Sequence, residues 1–372
     1  MARSAPIRRS RLWYLFPVFL GVIGGMIAYF ILRDNNSAMA SNTLWIGIIL
    51  SAVVAAIAIA IYWMYYIDIT AARKRISTGS IVDTAYGQIE YADVGEGSPI
   101  LSIHGAGGGF DQGLLTAQSF FDEDILNNHR VIAPSRFGYL QTPMPSYDAS
   151  SAAQADAHAA LLDALGIDEK VMVIGTSAGA LSATEFAIKY PDRVSALVLA
   201  VPAAWSPQAA SEGAAEIGAN NFVGNTIMRS DFMMWVFTKL AYGQILTFFG
   251  VPENLQQSMT PQEKEDAKTL VDAILPISQR NEGLRQEAIN MENRQRSALE
   301  SISAPTIIID AKDVVTFPGS KYTAEHIPNA KLVAYETGGH LLIGHGDEAK
   351  AAVSDFIRQH ETQSSLQTQS DS

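Results

Sequence analysis

Two long uncharged runs near the start of the chain constrain its fold more than any other feature. They cover residues 12–32 and 44–67, and neither contains Asp, Glu, Lys or Arg. A helix that rises about 1.5 Å per residue crosses the roughly 30 Å hydrocarbon layer of a membrane within such a length. Trp and Tyr near the ends of both runs match the aromatic belts of membrane helices. We therefore predict a two-helix membrane anchor within residues 1–75, the alternative being helices buried in a soluble core.

Basic residues flank the pair of runs at both outer ends. They are Arg3, Arg8, Arg9 and Arg11 before the first run and Arg73, Lys74 and Arg75 after the second. By the positive-inside rule, we expect a multi-pass membrane protein whose termini and remaining chain lie in the cytoplasm. Residues 38–40 (Ala-Met-Ala) resemble a signal-peptidase site, so a cleaved first run is the alternative. The first run is longer than a usual signal core, which favours retention.

The chain contains no cysteine, which excludes disulfide bonds, thiolate nucleophiles and cysteine metal sites. Its net charge of −12 is unevenly spread, because residues 1–75 hold eight of the 26 basic residues but only two of the 38 acidic ones. The remaining chain is strongly acidic and repels phosphate groups. We therefore expect no nucleic-acid partner.

Short apolar runs alternate with helical patterns from residue 80 to residue 359. The predicted strands are 81–84, 88–94, 100–103, 130–133, 171–174, 194–201, 306–309 and 332–335, and the predicted helices are 149–165, 178–190, 321–326 and 347–359. This alternation indicates an α/β fold with a mainly parallel sheet covered by helices on both faces. We assign its two parts to residues 76–202 and 301–361, and we expect the polar residues 362–372 to be disordered.

Residues 203–300 interrupt this alternation and show helical periodicity with few strand signals. We predict an inserted helical cap, or lid, over the sheet. Residues 232–251 within it are unusually apolar but are broken by Lys239, Gly243 and Gln244. This favours cap helices packed on the core. The alternative is a lid that faces the bilayer and admits a lipophilic substrate.

Ser177 lies at the centre of a Gly-x-Ser-x-Gly sequence, residues 175–179. A predicted strand precedes it and a predicted helix follows, which is the context of a nucleophile elbow. The two glycines avoid clashes in so sharp a turn. The start of the helix directs a free amide and the positive end of the helix dipole toward the place where an oxyanion would form. Because the motif also occurs in ordinary turns, its interpretation depends on partners elsewhere in the chain.

A glycine-rich loop, residues 104–109, follows the third predicted strand. Such a loop turns backbone amides inward, and in an acyl-transfer site it supplies one oxyanion donor. We assign this donor to Ala106, with Gly107 as the rival, and the second donor to Ala178. A phosphate-binding loop is the competing interpretation, but no Lys-Ser/Thr pair closes the loop and no helix start is obvious after it. His104 is expected to brace the loop rather than to act as an acid or base.

A general base and an acid must reach Ser177 from other strand ends. His340 is the strongest candidate for the base, because two glycines place it in a loop after the last predicted strand, and His345 is the reserve. Asp310 and Asp313 both follow the strand before that and are the candidates for the acid. The resulting order, serine, aspartate, histidine, differs from the chymotrypsin-like and subtilisin-like orders.

These motifs, in this order, resemble those of the α/β-hydrolase family over about residues 80–360. The resemblance is carried by residues 104–109, the Arg-Phe-Gly-Tyr sequence 136–139, residues 175–179, the region from Asp313 to Pro318, and residues 338–340. It implies a Ser-Asp-His triad, a helical cap after the sixth strand, and hydrolysis of an acyl or C–C bond without a cofactor or metal. The family often has glycine three residues before the acid. Asp310 occupies that place here, which favours Asp313 as the acid and leaves Asp310 as its rival.

The predicted reaction starts with attack of Ser177 on an ester, thioester, amide or activated ketone, with His340 removing the serine proton. We predict a carboxylic ester hydrolase that works through an acyl-enzyme. The predicted anchor brings the enzyme close to lipid-derived or other hydrophobic esters, so the expected partners are a small ester and the bilayer. The alternatives are a C–C bond hydrolase or cofactor-free haloperoxidase with the same triad, and a non-catalytic binding protein of the same fold.

Overall fold

The computed structural model describes residues 10–208 and 227–370. The chain divides into two compact units, Met1–Thr70 and Ala71–Ser372. This division falls a few residues before the expected boundary at residue 75. Arg73 and Arg75 lie just after the division and make ion pairs with Asp231 and Asp111.

The first unit consists of two long helices. A 3₁₀ turn, Arg11–Tyr14, leads into α1 (Leu15–Leu32), and α2 covers Ser37–Arg75. Both are long and apolar enough to cross a membrane. Small residues let them approach each other closely, since a Cβ added to Gly25 would lie 2.8 Å from the carbonyl oxygen of Thr43. Most of the apolar side chains of α2 are exposed, which is unlike a core helix of a soluble protein.

The second unit is built on one eight-stranded sheet. Its strands are β1 (Ser80–Thr84), β2 (Gly87–Val94), β3 (Ser98–Ile103), β4 (His129–Pro134), β5 (Val171–Thr176), β6 (Val194–Ala200), β7 (Thr306–Ala311) and β8 (Lys331–Tyr335). They lie in the order β1-β2-β4-β3-β5-β6-β7-β8. β2 pairs antiparallel with β1 and β4, and all other neighbours are parallel. The eight predicted strands and the mainly parallel sheet are confirmed.

Helices cover both faces of the sheet and form the cap. They are α3 (Phe110–Phe120), α4 (Glu123–Asn128), α5 (Ser151–Ala164), α6 (Gly179–Lys189), α7 (Asp231–Leu240), α8 (Tyr242–Phe248), α9 (Glu253–Ser258), α10 (Pro261–Asp272), α11 (Asn281–Glu292), α12 (Phe317–His326) and α13 (Gly346–Ser370). Phe186 of α6 lies in the core on one face, and Phe356 of α13 lies in the core on the other. The central strands are therefore buried on both sides, which explains their continuous apolar sequences.

Two predictions about helices were wrong. No helix start was expected after residue 109, yet α3 begins at Phe110. Its missed signal is the spacing of Phe110, Leu114, Ala117 and Phe121, which places apolar side chains on one face. The tail was expected to be disordered, but α13 continues to Ser370. No Gly or Pro interrupts residues 347–370, and Gln and Leu favour helix. Residues 371–372 lie outside the described residues.

The cap is helical in the residues that the structure describes, 227–300, where α7 to α11 occur and no strand is present. Residues 209–226 of the predicted cap lie outside the described residues. Backbone hydrogen bonds fasten the cap to the loops at the carboxyl ends of the strands. The amide of Leu140 donates to Gln279 (2.7 Å) and that of His340 donates to Phe249 (3.0 Å). The cap therefore holds loops that carry the predicted site.

Candidate active site

Ser177 forms the turn between β5 and α6. Its φ of +53° lies in the left-handed region, which is strained for a residue with a side chain. The serine amide donates to the carbonyl oxygen of Ala200 (2.9 Å), and the serine carbonyl accepts from the amide of Ala203 (3.0 Å). These bonds join the turn to the last residue of β6 and to the loop that follows it, and they hold the strained turn in place. The hydroxyl is thus presented beyond the carboxyl end of β5.

The two flanking glycines are required by close packing around this turn. A Cβ added to Gly175 would lie 2.6 Å from the Cβ of Ala183, and one added to Gly179 would lie 2.4 Å from the carbonyl oxygen of His104. Neither position can hold a side chain without movement of its neighbours. The glycines of the motif therefore let the start of α6 pack directly against the glycine-rich loop.

His340 meets the serine across the edge of the sheet. Its Nε2 lies 2.9 Å from the Oγ of Ser177, although the two residues are 163 positions apart in sequence. The imidazole is half-buried, and loss of hydration lowers its pKa to about 4. A neutral ring in this position can accept the hydroxyl proton at Nε2. The structure thus brings together the predicted nucleophile and the predicted base.

Asp313 holds the turn that carries the histidine. Its carboxylate accepts hydrogen bonds from the amides of Gly338 and Gly339, both at 3.1 Å. These glycines directly precede His340 and have positive φ values of +142° and +61°. Within residues 10–208 and 227–370, no hydrogen bond joins this carboxylate to the imidazole itself. Asp313 therefore contacts the backbone of the histidine turn.

Asp310, the rival acid, lies in a different environment. Its side chain is fully buried, accepts from the amide of Ala311 (2.8 Å), and binds the hydroxyl of Ser320 on α12. Burial raises its pKa to about 6, and the nearby charge of Asp313 adds to this effect. The contacts of Asp310 thus point it toward α12 rather than toward His340.

The predicted oxyanion donors flank the serine. A Cβ on Gly105 would lie 3.1 Å from that of Ser177, so the glycine-rich loop passes beside the nucleophile. Among the described groups, none accepts a hydrogen bond from the amides of Ala106 and Ala178. The amide of the rival, Gly107, donates to the hydroxyl of Tyr139 (3.3 Å). Ala106 and Ala178 are thus the amides that remain available to a ligand.

His104 supports the glycine-rich loop from the interior of the protein. It is fully buried; its Nε2 accepts from the amide of Arg136 (3.0 Å), and its Nδ1 lies 2.7 Å from the carbonyl oxygen of Gly105. Nδ1 must therefore carry the single proton, because a carbonyl can only accept. Burial lowers the pKa of His104 well below its ordinary value. A neutral ring with both nitrogens engaged cannot exchange protons with a substrate.

A buried ion pair that the sequence did not reveal ties the cap to the loop. Arg136, which follows β4, forms a two-pronged salt bridge with Glu287 of α11, and it also donates to the carbonyl oxygen of Gly105 (3.0 Å). The hydroxyl of Tyr139 donates to the same carboxylate (3.0 Å). Arg136 and Tyr139 lie in the 136–139 sequence that carries the family resemblance, whereas nothing in the sequence singles out Glu287.

A second missed cluster surrounds Asp111, in the first turn of α3. Its buried carboxylate accepts from Arg75 (3.0 Å) and from Arg280 (2.8 Å). Arg280 also donates to the carbonyl oxygen of Gly108 (2.5 Å), and Arg75 donates to that of Leu275 (2.8 Å). One carboxylate thus joins the end of α2, the cap and the glycine-rich loop.

The remaining histidine candidate is engaged elsewhere. His345, the reserve base, stacks on Tyr335 and binds Glu348 at 3.2 Å. His158 is buried beside Ser182. The contact with Ser177 therefore belongs to His340.

A cavity of about 330 Å³ lies along the first turns of α6, and neither Ser177 nor His340 is among its lining residues. Ala180, Leu181 and Trp205 contribute apolar surface, and Arg294 contributes a guanidinium. Burial lowers the pKa of Arg294, and no carboxylate among the described residues pairs with it. Pockets of this size accommodate small ligands.

Comparison with known proteins agrees with the fold. A family model described as "alpha/beta hydrolase fold" matches residues 98–347. The chain is 29% identical to 2-hydroxymuconate semialdehyde hydrolase of Pseudomonas putida over 272 residues, covering 71% of this chain and 89% of that protein. It is 28% identical to pimeloyl-[acyl-carrier protein] methyl ester esterase of Neisseria meningitidis over 200 residues, covering 51% and 71%.

A solved structure shows the same fold. The thermophilic esterase from Thermogutta terrifontis superposes with a TM-score of 0.55 at 23% identity, covering 76% of this chain and 99% of the esterase. The hydrolase relatives and the family model, which matches well over half of the chain, identify it as an enzyme. The chain therefore belongs to the α/β-hydrolase family.

Proposed function

We propose that the protein is a membrane-anchored serine hydrolase that cleaves a carboxylic ester through an acyl-enzyme on Ser177. The observation that carries this proposal is the 2.9 Å contact between the Oγ of Ser177 and the Nε2 of His340, at an elbow with two unoccupied amides beside it. A hydroxyl, a neutral base and two free amide donors are what acyl transfer needs.

In the first half-reaction, Nε2 of His340 takes the hydroxyl proton while Oγ of Ser177 bonds to the ester carbonyl carbon. The negative charge that develops on the carbonyl oxygen is stabilised by the amides of Ala106 and Ala178. The imidazolium then gives its proton to the leaving alcohol, and the C–O bond breaks. Water repeats these steps on the acyl-enzyme and releases the carboxylic acid. Asp313 holds the turn that carries His340 through the amides of Gly338 and Gly339.

The proposed substrate is a lipid-derived or other hydrophobic ester. Its support is the pair of apolar helices before the hydrolase unit, which we propose cross the membrane with both termini in the cytoplasm. An anchored enzyme meets esters dissolved in the bilayer at high local concentration.

The proposal is tested with p-nitrophenyl esters of increasing acyl length. We expect the purified full chain to hydrolyse them and to form an adduct with a fluorophosphonate probe. Ser177→Ala and His340→Gln should lose at least about a thousandfold in kcat, since nucleophile and base act as a unit. His345→Gln is the matched control and should retain full activity. An active Ser177→Ala variant, or absence of probe labelling, would contradict the proposal and favour a binding role.

A second candidate is a C–C bond hydrolase that uses the same residues. It is favoured by the similarity to 2-hydroxymuconate semialdehyde hydrolase, which extends over 89% of that protein. Comparison of kcat/KM for 2-hydroxymuconate semialdehyde and for the best p-nitrophenyl ester separates the two. A clear preference for the semialdehyde would replace the ester hydrolase as the proposed function.

A further inference from the structure

Helix α7 of the cap is apolar on both of its faces. Met234 and Trp235 point into the protein, as the apolar side of a surface helix does. On the opposite side, Met233, Phe237 and Leu240 are 39%, 37% and 81% exposed. A helix on the surface of a soluble domain normally places polar residues there. The outer side of α7 therefore has the composition of a buried surface.

The next helix of the cap also exposes a large apolar side chain. Phe248, near the end of α8, is 68% exposed. We call Met233, Phe237, Leu240 and Phe248 the outer cap face. Several exposed apolar side chains of this size, on two consecutive helices of the cap, are typical of a place where a soluble domain meets a partner or a membrane.

The start of α7 is bonded to the last turn of α2. The carboxylate of Asp231 forms an ion pair with Arg73 (3.4 Å) and accepts from the amide of Ser278 (2.9 Å). Arg73 lies in the last turn of α2, six positions after the uncharged run 44–67. Six helical residues advance about 9 Å, which is slightly more than the roughly 5–8 Å thickness of one lipid headgroup layer. If α2 spans the bilayer, Asp231 is therefore held at its surface.

We propose that the outer cap face docks into the headgroup and upper acyl layer of the same bilayer, and that lipid is its occupant. This inference rests on the membrane anchoring in the proposed function. Amphipathic surfaces bind membranes in this way, with apolar side chains a few ångströms below the headgroups. Because the anchor already confines the cap to the surface, docking needs little additional affinity.

Docking would place lipid next to the catalytic base. Phe248 belongs to the outer cap face, and the following residue, Phe249, accepts a hydrogen bond from the amide of His340 (3.0 Å). The ring of Phe249 also stacks on the imidazole, with centroids 6.4 Å apart and planes inclined by 11°. An ester that enters along α8 would thus reach Ser177 without crossing bulk water.

The absence of cysteine makes the test direct, because single-cysteine variants of the full chain need no background mutations. Leu240→Cys and Phe248→Cys would be labelled with an environment-sensitive fluorophore, in nanodiscs that hold one protein each in phosphatidylcholine and phosphatidylglycerol. Tyr147→Cys is the matched control, since Tyr147 is 68% exposed like Phe248 but lies outside the cap. Quenching by nitroxide-labelled lipids reports contact with the bilayer.

We expect labels at positions 240 and 248 to shift to the blue and to be quenched, and the label at 147 to be neither. Labels at 240 and 248 that behave like the one at 147 would overturn the proposal. A blue shift that appears only when two proteins share a disc, without quenching by lipid nitroxides, would also overturn it, because a second copy would then be the occupant. This readout does not depend on catalysis, so it stands even if the protein does not hydrolyse esters.

Activity provides the second measurement. Leu240→Asp should slow hydrolysis of a long-chain ester embedded in the disc by at least about tenfold, because burial of one carboxylate against hydrocarbon costs more than such a factor. Hydrolysis of water-soluble p-nitrophenyl acetate should be unchanged, and Tyr147→Asp should leave both rates unchanged. An undiminished rate of Leu240→Asp on the embedded ester would overturn delivery through the cap.

Discussion

Asp310 allows a quantitative test of the electrostatics beside the site. Its carboxylate is fully buried in β7, and burial raises its pKa from 3.8 to about 6. At about 1.4 kcal/mol per pKa unit, ionisation of this group in the folded protein costs roughly 3 kcal/mol of stability. Because the folded pKa lies above the unfolded value, this cost is absent below about pH 4 and is complete above about pH 6.

The perturbation is Asp310→Asn, which keeps the shape of the side chain and removes its charge. The amide oxygen can still accept from Ala311, and the hydroxyl of Ser320 can turn to accept from the amide nitrogen. We expect the variant to be more stable than the unmodified protein by up to about 3 kcal/mol at pH 8, and equally stable near pH 4. For a unit of this size, the change corresponds to a rise in Tm of roughly 5 °C at pH 8.

Thermal unfolding at a series of pH values, with ester hydrolysis measured in parallel, provides the assay. Asp313→Asn is the companion variant, because it weakens the support of the histidine turn without relieving a buried charge. We expect Asp310→Asn to retain activity and Asp313→Asn to lose most of it. A pH-independent difference in Tm would refute the electrostatic reasoning. Loss of activity in Asp310→Asn alone would make Asp310 the functional acid.

Three further predictions follow from the geometry. The lowered pKa of His340 should move the acid limb of kcat/KM below pH 6.5 and toward 4, since the neutral ring is the base and activity rises as it loses its proton; a pH–rate profile measures this. Gly179→Ala, whose methyl group would approach the oxygen of His104 to 2.4 Å, should destabilise the protein by about 2–3 kcal/mol in thermal unfolding. Glu287→Gln leaves the buried Arg136 without its counter-charge and should cost about 3 kcal/mol in denaturant unfolding.

Each of these predictions has a contrary outcome. An acid limb centred at or above pH 6.5 would show that the imidazole is not the desolvated base. Gly346→Ala is the control for the glycine, because nothing lies within 4 Å of the added methyl group, and equal losses in the two variants would reject the packing argument. Glu300→Gln breaks the exposed pair with Arg296, which solvent screens, and should cost much less stability than Glu287→Gln. If it costs as much as Glu287→Gln, burial does not set the energy.

The elements that the sequence predicted best are those with local signals. The strands from β3 to β7 are continuous apolar runs because both faces of the sheet are covered, and such runs are visible in one dimension. Ser177 and His340 could be paired because parallel strands deliver their following loops to one edge. α3 was missed because the glycines before Phe110 resemble a loop, although the structure packs Gly105 against Ser177 and Gly109 against Arg280.

Long-range partnerships between charged residues could not be predicted. Glu287 and Arg136 are 151 positions apart, and Arg280 and Asp111 are 169 apart. Their pairing depends on how the cap folds over the glycine-rich loop, and neither hydrophobic period nor turn chemistry encodes that. The choice between Asp310 and Asp313 also required the three-dimensional structure. Both lie near the carboxyl end of β7, but Asp313 binds the backbone of residues 338–339, whereas Asp310 binds Ser320.

The position of Arg75 affects how the enzyme could be separated from its apolar helices. This residue is the last of α2, yet its guanidinium donates hydrogen bonds to Asp111 at the start of α3 and to the carbonyl oxygen of Leu275 in the cap. A truncated protein that starts after Arg75, where α2 ends, would lose these hydrogen bonds, and Arg280 alone would then pair with Asp111. A truncated protein that begins near Ala71, the first residue of the second unit, would keep the hydrogen bonds of Arg75. The last turn of the anchor is, in this sense, already part of the enzyme.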